Sequence, residues 1–510
     1  MPTARGSRTR SADTLDAVVI GGGPAGATAA RLLAMWGHRV ALLTRPAPRP
    51  ALAESLPPSC RKLFDRVGVR RAIDAAGFLR STGNTVRWGA DAERVERFAD
   101  GELGYQVSRD VFDRVLLAEA AAAGATVRQR ATVRDVAMGR GAGGGAIVSY
   151  DPGSARHRVA ARWVLDCTGR AGLLARRGWR RPEPRLRTMA IAGVWERHDR
   201  WRLADVSHTL VESYEDGWAW SVPVSPTERH VTVMVDPALT TVAGRARLAT
   251  TYHEELARTA SMRALVEGAK MIGRPFARDA SSYFAMRAGE NGTLLVGDAA
   301  SFVDPLSSYG VKKALASAWL ASVVAHSCLS NSSLLTPALA LYESRERAIY
   351  ESLRRRLTEL SREAAGAYAD GFWRDRADAA DAADPADREP DGEADLAALR
   401  ADPDVLGALA ELKQRPSIVL RPGRSLDRVR KPVVRGNAIV LEEHLVAPAF
   451  QDGVRYLRSV DLVTIVDLAR AHDQVPDLFD AYNRAAPPAP LPDFLGALSV
   501  LVGKRMLAFA

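Results

Sequence analysis

Three glycines carry the first chemistry legible in this chain. Gly21, Gly23 and Gly26 stand in G-x-G-x-x-G spacing within DAVVIGGGPAGATAARLLAMWGHRVALLT, after one apolar run and before an Ala/Leu-rich run that leads into a second. Strand, glycine turn, helix and second strand are the context in which this spacing serves a dinucleotide. The first glycine permits the tight turn, the second lets a pyrophosphate approach the backbone, and the third lets helix pack on strand. The N-terminus of the helix that follows, with Ala25 as a cofactor-binding candidate, faces the phosphates with its positive dipole end. Where an acidic residue usually holds the ribose the chain has Thr44 and Arg45, so a hydroxyl offers a weaker version of that contact. No second fingerprint of this quality follows: GRGAGGG at 139–145 reads as a hairpin loop between two strands. One firmly held dinucleotide fits a flavoprotein better than a two-nucleotide reductase.

The second chemical segment is TLLVGDAASFVDPLSSYGVKKALASAWLAS, residues 293–322. A strand ends at Gly297 and Asp298, the chain turns at Pro305, and a helix starts near Gly310. Asp298 suits a ribityl hydroxyl, and the N–H groups of Gly310 and Val311 suit the pyrimidine end of a flavin, where the helix dipole stabilises the anionic reduced form. Lys312 and Lys313 are candidates for holding negative charge there, although a lysine pair at a helix start is more often solvated.

Together, GGGPAG and VGDAASFVDP resemble the FAD fold shared by class A flavin monooxygenases and flavin-dependent halogenases, over roughly residues 14–365. The resemblance implies that Arg109, with Asp113, reaches the FAD phosphates, and that Asp166 and Gly169 in VLDCTGRAG lie on the strand returning to the nucleotide. Two stretches are similar to the halogenase side. GWAWSVPV places Trp218, Trp220 and Pro223 in a WxWxxP arrangement, and AESLPPS places Glu54 and Ser55 in the flavin-contacting loop. Alternating tryptophans would by periodicity alone fill a sheet's core face; with the other motifs they become an active-site wall. The halogenases' catalytic lysine, in a segment resembling GFxxKxGxxxxWG, is here Ser81, and neighbouring Arg80 is a differently directed cation. Tyr309 in PLSSYGV stands where halogenases keep a small residue near the halide.

The resemblance therefore implies monooxygenation of an electron-rich aromatic ring, with FAD as cofactor, NAD(P)H or a separate flavin reductase as electron source, and O2 as co-substrate. Glu54, Ser81 and Tyr309 are the candidates for polarising the substrate or relaying a proton. RSTGN, DPLSSYG and a C-terminal appendage look most like the LodB-like and QhpG-like flavoproteins that hydroxylate a protein-bound tryptophan, so the implied partner is a peptide or protein client. A flavin-dependent halogenase, a small-molecule hydroxylase and a flavin-bound maturation chaperone are the competing readings.

These residues require an α/β architecture: a Rossmann-like FAD-binding domain, an inserted mixed β-sheet substrate domain, and a small C-terminal α+β winged-helix-like unit. Residues 1–13 read as a disordered tail, 14–370 as the catalytic body, 371–399 as an acidic linker and 400–510 as the C-terminal unit or lid. LYESRERAIYESLRRRLTELSREAAGAY has helical spacing, and the last hundred residues read as strands followed by three helices. The 510 residues hold 70 Lys+Arg against 60 Asp+Glu, a formal +10, of which residues 375–395 contribute −7 and the remainder +17. The basic residues are scattered among acids, which points away from a nucleic-acid module. The 3 cysteines, Cys60, Cys167 and Cys328, show no metal-ligand or disulfide spacing. No apolar run approaches the ~18 to 20 residues that cross a bilayer, and the expected location is cytoplasmic.

Overall fold

The computed structural model describes residues 14–45, 51–139, 145–153, 155–183, 186–240, 244–368, 371–378 and 398–510. The expected tail and most of the acidic segment fall outside these. The chain forms two compact units, residues 1–383 and 384–510.

In the first unit, β1 (Thr14–Ile20) leads through the glycine turn into α1 (Pro24–Met35) and back to β2 (Val40–Thr44). Proline near the start of α1 supplies a preset φ where no backbone donor is needed. Ala27, Ala29 and Ala30 are fully buried, small enough to let α1 pack closely on the helix Gly310–Ser330. Next come β3 (Ala53–Leu56), β4 (Gly104–Ser108), α2 (Arg109–Ala122) and β5 (His157–Asp166). β1 lies parallel between β2 and β5, with Val19 facing both Leu42 and Leu165, and Thr126–Gln129 and Thr293–Leu295 extend the sheet on either side. Such a parallel core is buried on both faces, which is why its strands read as continuous apolar runs. The strands flanking 139–145 pair antiparallel, Met138 opposite Ala146.

The second sheet has seven strands. β6 (Met189–Glu196), β7 (Thr209–Tyr214), β8 (Gly217–Pro223), β9 (Glu228–Val235) and β10 (Lys270–Asp279) stand in the order β10, β6, β9, β8, β7, followed by Gly83–Arg87 and Arg94–Arg97. Alternation divides its residues between two faces. Ile191, Trp195, Leu210, Ala219 and Val231 join a core with Tyr252 and Leu256 of the helix Gly244–Arg258. Val211, Trp218, Trp220 and Thr232 face the opposite way. Toward its end the unit adds the helices α3 (Gly310–Ser330), α4 (Leu335–Ala365) and α5 (Gly371–Asp378).

α5 corrects the expected linker. Residues 371–378 carry acids, but Phe372 and Trp373 are fully buried, and Trp373 packs edge-on against Trp88 while its ring N–H donates to Tyr214 O at 2.7 Å. Two aromatic anchors outweigh the local charge, so the body extends through this helix.

The second unit is α+β. It contains α6 (Pro403–Gln414), an antiparallel sheet of β11 (Asp427–Arg435), β12 (Ala438–Ala447) and β13 (Phe450–Val454), then α7 (Leu462–Leu468), α8 (Val475–Ala485) and α9 (Leu491–Gly503). Asp402 and Asp461 cap α6 and α7 through their carboxylates. Ile465, Leu478, Tyr482, Phe494 and Leu498 fill its own core. Among the described residues of both units, no helix is long and apolar enough to cross a membrane.

Candidate active site

A cavity of about 1560 Å³ opens in the first unit between the parallel sheet and the seven-stranded sheet. Small-ligand sites commonly enclose about 300–1,000 Å³, so this one has room for an extended cofactor and a second molecule. Two helices begin at its wall. Pro24 and Ala25 of α1, and Gly310 and Val311 of α3, line it, and neither helix has a side-chain cap or an acidic residue in its first turn. Their first N–H groups are unclaimed by side chains and suit anionic or carbonyl oxygens.

The glycines shape the cradle. Gly21 has φ +108°, and a Cβ there would lie 2.3 Å from Cys167 O; one on Gly26 would lie 1.8 Å from Gly21 O. Gly26 accordingly sits behind the wall, at the helix–strand contact. A Cβ on Gly23 would meet nothing closer than Arg109 Nη2 at 3.6 Å, and one on Gly310 nothing within 4 Å. The protein leaves space at the two places where a dinucleotide would approach the backbone.

Arg109 stands beside this cradle between two carboxylates. Its Nε and Nη2 donate to Asp113 at 3.0 and 3.1 Å, and its Nη1 to Glu54 Oε1 at 3.1 Å. Pairing of β3 with β4 sets Glu54 opposite Val107, two residues before Arg109. Burial raises the Glu54 carboxyl above the usual range, against the pull of Arg109. Burial likewise raises Asp113, with Arg109 opposing. Ser55, Thr44, Arg45, Gly169 and Pro305 also line the cavity, as does Asp298, 3.3 Å from Lys313 Nζ. Lys313 is not the solvated residue its place at a helix start suggests: it is 2% exposed and donates to Ser301 O and Oγ. The Lys312 ammonium lies 5.0 Å from the Tyr309 ring centre.

Like Gly26, Lys312 and Lys313, the expected residues Asp166, Ser81 and Tyr309 are placed outside the cavity wall. Asp166 is fully buried and spends both oxygens on the turn that follows it, accepting from Thr168 N and Oγ1 at 3.0 and 2.6 Å and from Leu174 N at 2.7 Å. It shapes the turn that presents Gly169 and Arg170. Ser81 is 1% exposed and donates to Gly83 O at 2.9 Å, turned into its own strand segment. Arg80 binds Gly104 O, Leu103 O and Asp74 and covers the Tyr105 ring, facing away as well. Tyr309 precedes α3, half-buried, and its neighbours Ser308 and Gly310 line the cavity in its stead.

The opposite wall is one face of the seven-stranded sheet. Trp218 and Trp220 stack at 4.8 Å between ring centres and 25° between planes, and both line the cavity with Val211, Thr209 and Thr232. Behind them lies Asp304, whose carboxyl burial raises to about 6, Arg376 opposing. Sequence reasoning missed Arg278 in this wall. The signal was available in Phe276, Arg278 and Ala280, a charge set between two apolar residues at alternate positions.

The cradle, the two uncapped helix starts and the cavity's size suit FAD, and the sequence agrees: residues 14–325 match the family of the FAD binding domain. The chain belongs to that family. A tryptophan 2-halogenase of Chondromyces crocatus is 28% identical over 336 residues, 64% of this chain and 64% of that relative's length. The structure of CmlS, a flavin-dependent halogenase, superposes with a TM-score of 0.73 at 23% identity, covering 98% of this chain and 96% of that one. QhpG, a peptidyl tryptophan dihydroxylase essential for tryptophylquinone cofactor biogenesis, superposes with a TM-score of 0.64 at 23% identity, covering 92% and 95%. This FAD-binding chain is thus a halogenase-like flavoprotein with a Rossmann-like fold.

Proposed function

We propose that this FAD-binding chain is a monooxygenase that hydroxylates an electron-rich aromatic ring, specifically the indole of a tryptophan in a peptide or protein. One observation carries the choice of hydroxylation: among the described residues that line the cavity there is no lysine, and Ser81 and Arg80, at and beside the halogenase-lysine position, are both turned out of it. A ring leaning on Trp218 and Trp220 would gain about 0.5–1.5 kcal/mol from aromatic contact beyond its buried area. FAD, reduced by NAD(P)H directly or through a separate reductase, supplies the activation of O2. The chain's own part is to hold the ring, keep water away and move a proton. Glu54, lifted by burial and tethered by Arg109 through Oε1, is suited to give or accept a proton at Oε2. Hydroxylation of a peptidyl tryptophan is also the chemistry of QhpG, which shares the fold.

Halogenation is the second reading, favoured by the likeness to halogenases in sequence and in fold. The test supplies the FAD-loaded protein with NADPH, a flavin reductase, O2, bromide and a tryptophan-containing peptide. Product mass spectrometry is expected to show a gain of oxygen. Bromine in the product would overturn the reading.

A further inference from the structure

We propose that the substrate of this cavity carries a carboxylate and that Arg278 binds it. The inference rests on the reading that the cavity takes an aromatic substrate, and it names a second recognition group on that molecule.

The wall's charges are sorted. Its acids have cations: Glu54 and Asp113 share Arg109, Asp110 meets Arg114 at 3.2 Å, and Asp298 meets Lys313 at 3.3 Å. Arg45, Arg130, Arg170, Arg176 and Arg278 also line it, and none has an acidic partner among the described residues. The first four belong to the turns of the nucleotide-binding half, where anionic phosphates are the natural counter-charge. Arg278 differs. It is the single charged residue among those that the five long strands of the seven-stranded sheet contribute to the wall.

Strand register fixes its place relative to the tryptophans. Arg278 lies opposite Ala190, Ala190 opposite Met234, and Met234 opposite Trp218. Three strand spacings separate the backbones of Arg278 and Trp218, about 14 Å at ~4.8 Å per step, and both residues line the same cavity. Ala190 and Met234 stand between them; Ala190 is small and lines the cavity, while Met234 is fully buried against Trp218. A molecule whose ring rests on the tryptophan pair and that extends across the sheet meets the guanidinium on the same wall.

Arg278 is half-buried, its one side-chain hydrogen bond among the described residues goes to the neighbouring Ala277 O at 3.1 Å, and its guanidinium lies 5.1 Å from the Phe276 ring centre. That contact holds the side chain along the sheet and leaves most of its donor fork unused. A planar fork on an otherwise uncharged wall matches a carboxylate, which it can hold with two parallel hydrogen bonds. The carboxylate can come from the α-carboxyl of a free or terminal aromatic residue, or from an acidic residue beside it in a peptide.

Three probes with the same indole separate these sources: N-acetyl-tryptophan, its neutral amide, and N-acetyl-aspartyl-tryptophan amide. Their binding to the FAD-loaded protein is measured by calorimetric titration, with no turnover required. At least one acidic probe is expected to bind about tenfold tighter than the neutral amide, and whichever does identifies the source. In Arg278→Gln that preference is expected to fall below about twofold with flavin content unchanged, and Arg278→Lys is expected to restore part of it. Equal binding of all three probes by the unaltered protein, no binding of any, or a preference that survives Arg278→Gln would overturn the proposal. A protein that oxygenates neutral indoles equally well keeps the proposed function and loses this inference. A protein that takes up no flavin loses the proposed function, while the same titrations on the flavin-free protein still report on Arg278.

Discussion

Glu346 shows what a single buried group does to this molecule. It lies on α4, 4% exposed, and burial pushes its carboxyl up to about 7 although Lys313 pulls the other way. The folded chain therefore keeps a proton that the unfolded chain releases from about pH 4.5 upward, so this group's contribution to stability falls as pH rises through that window and stays low above pH 7. The shift is worth roughly 3 kcal/mol at full extent. Glu346→Gln is expected to melt several degrees higher than the unaltered protein at about pH 8 and at the same temperature near pH 4, read by thermal denaturation at both. A variant no more stable at the higher pH would show that the carboxylate is compensated. Nothing in the sequence marked this residue, because a glutamate in an amphipathic helix reads as solvated until the packing around it is known. Arg278 escaped notice in the same way, as did the inward turn of Lys313, whereas Gly21, Gly23, Asp298 and Trp218 were legible because their motifs specify backbone geometry or strand phase.

At the scale of elements, the turn between β1 and α1 divides two tasks between neighbouring glycines. A methyl at Gly26 would collide with Gly21 O at 1.8 Å, a backbone atom that cannot step aside without parting helix from strand. Gly26→Ala is expected to cost about 3 kcal/mol or more and to lower the yield of folded protein. A methyl at Gly23 meets only the end of Arg109 at 3.6 Å. Gly23→Ala is expected to keep the melting temperature of the flavin-free protein and to lose flavin affinity, since it fills the space left for the pyrophosphate; equal flavin content in the two variants would contradict that division. The element order around this turn could be read from the sequence because a parallel sheet buries both faces and leaves continuous apolar runs. The seven-stranded sheet was harder to read, since its strands come from segments scattered between residues 83 and 279. Alternation identifies a strand but not its partners. α5 was lost to the acidic composition around it, because two aromatic residues decide its burial and composition averages them away.

For the whole molecule, the division at residues 383 and 384 separates two units that each bury a core. All the residues that line the cavity lie in the first. A chain ending at residue 383 is expected to retain flavin, measured by the visible absorbance that stays with it through gel filtration, and its loss would show that the second unit is needed for the cavity to form. The second unit's strands and last three helices were legible from Gly and Pro punctuation, while α6 and its Asp402 cap were not. One cavity in the first unit holds both a cradle that suits FAD and a wall lined by Trp218 and Trp220. The most direct test of their joint use is turnover of a tryptophan-containing peptide under isotopically heavy O2 with FAD, NADPH and a flavin reductase, in chloride-containing buffer, with the product fragmented by mass spectrometry. Heavy oxygen on the indole is the expected result; an indole that carries chlorine, or that stays unmodified while the flavin is reoxidised, would contradict it.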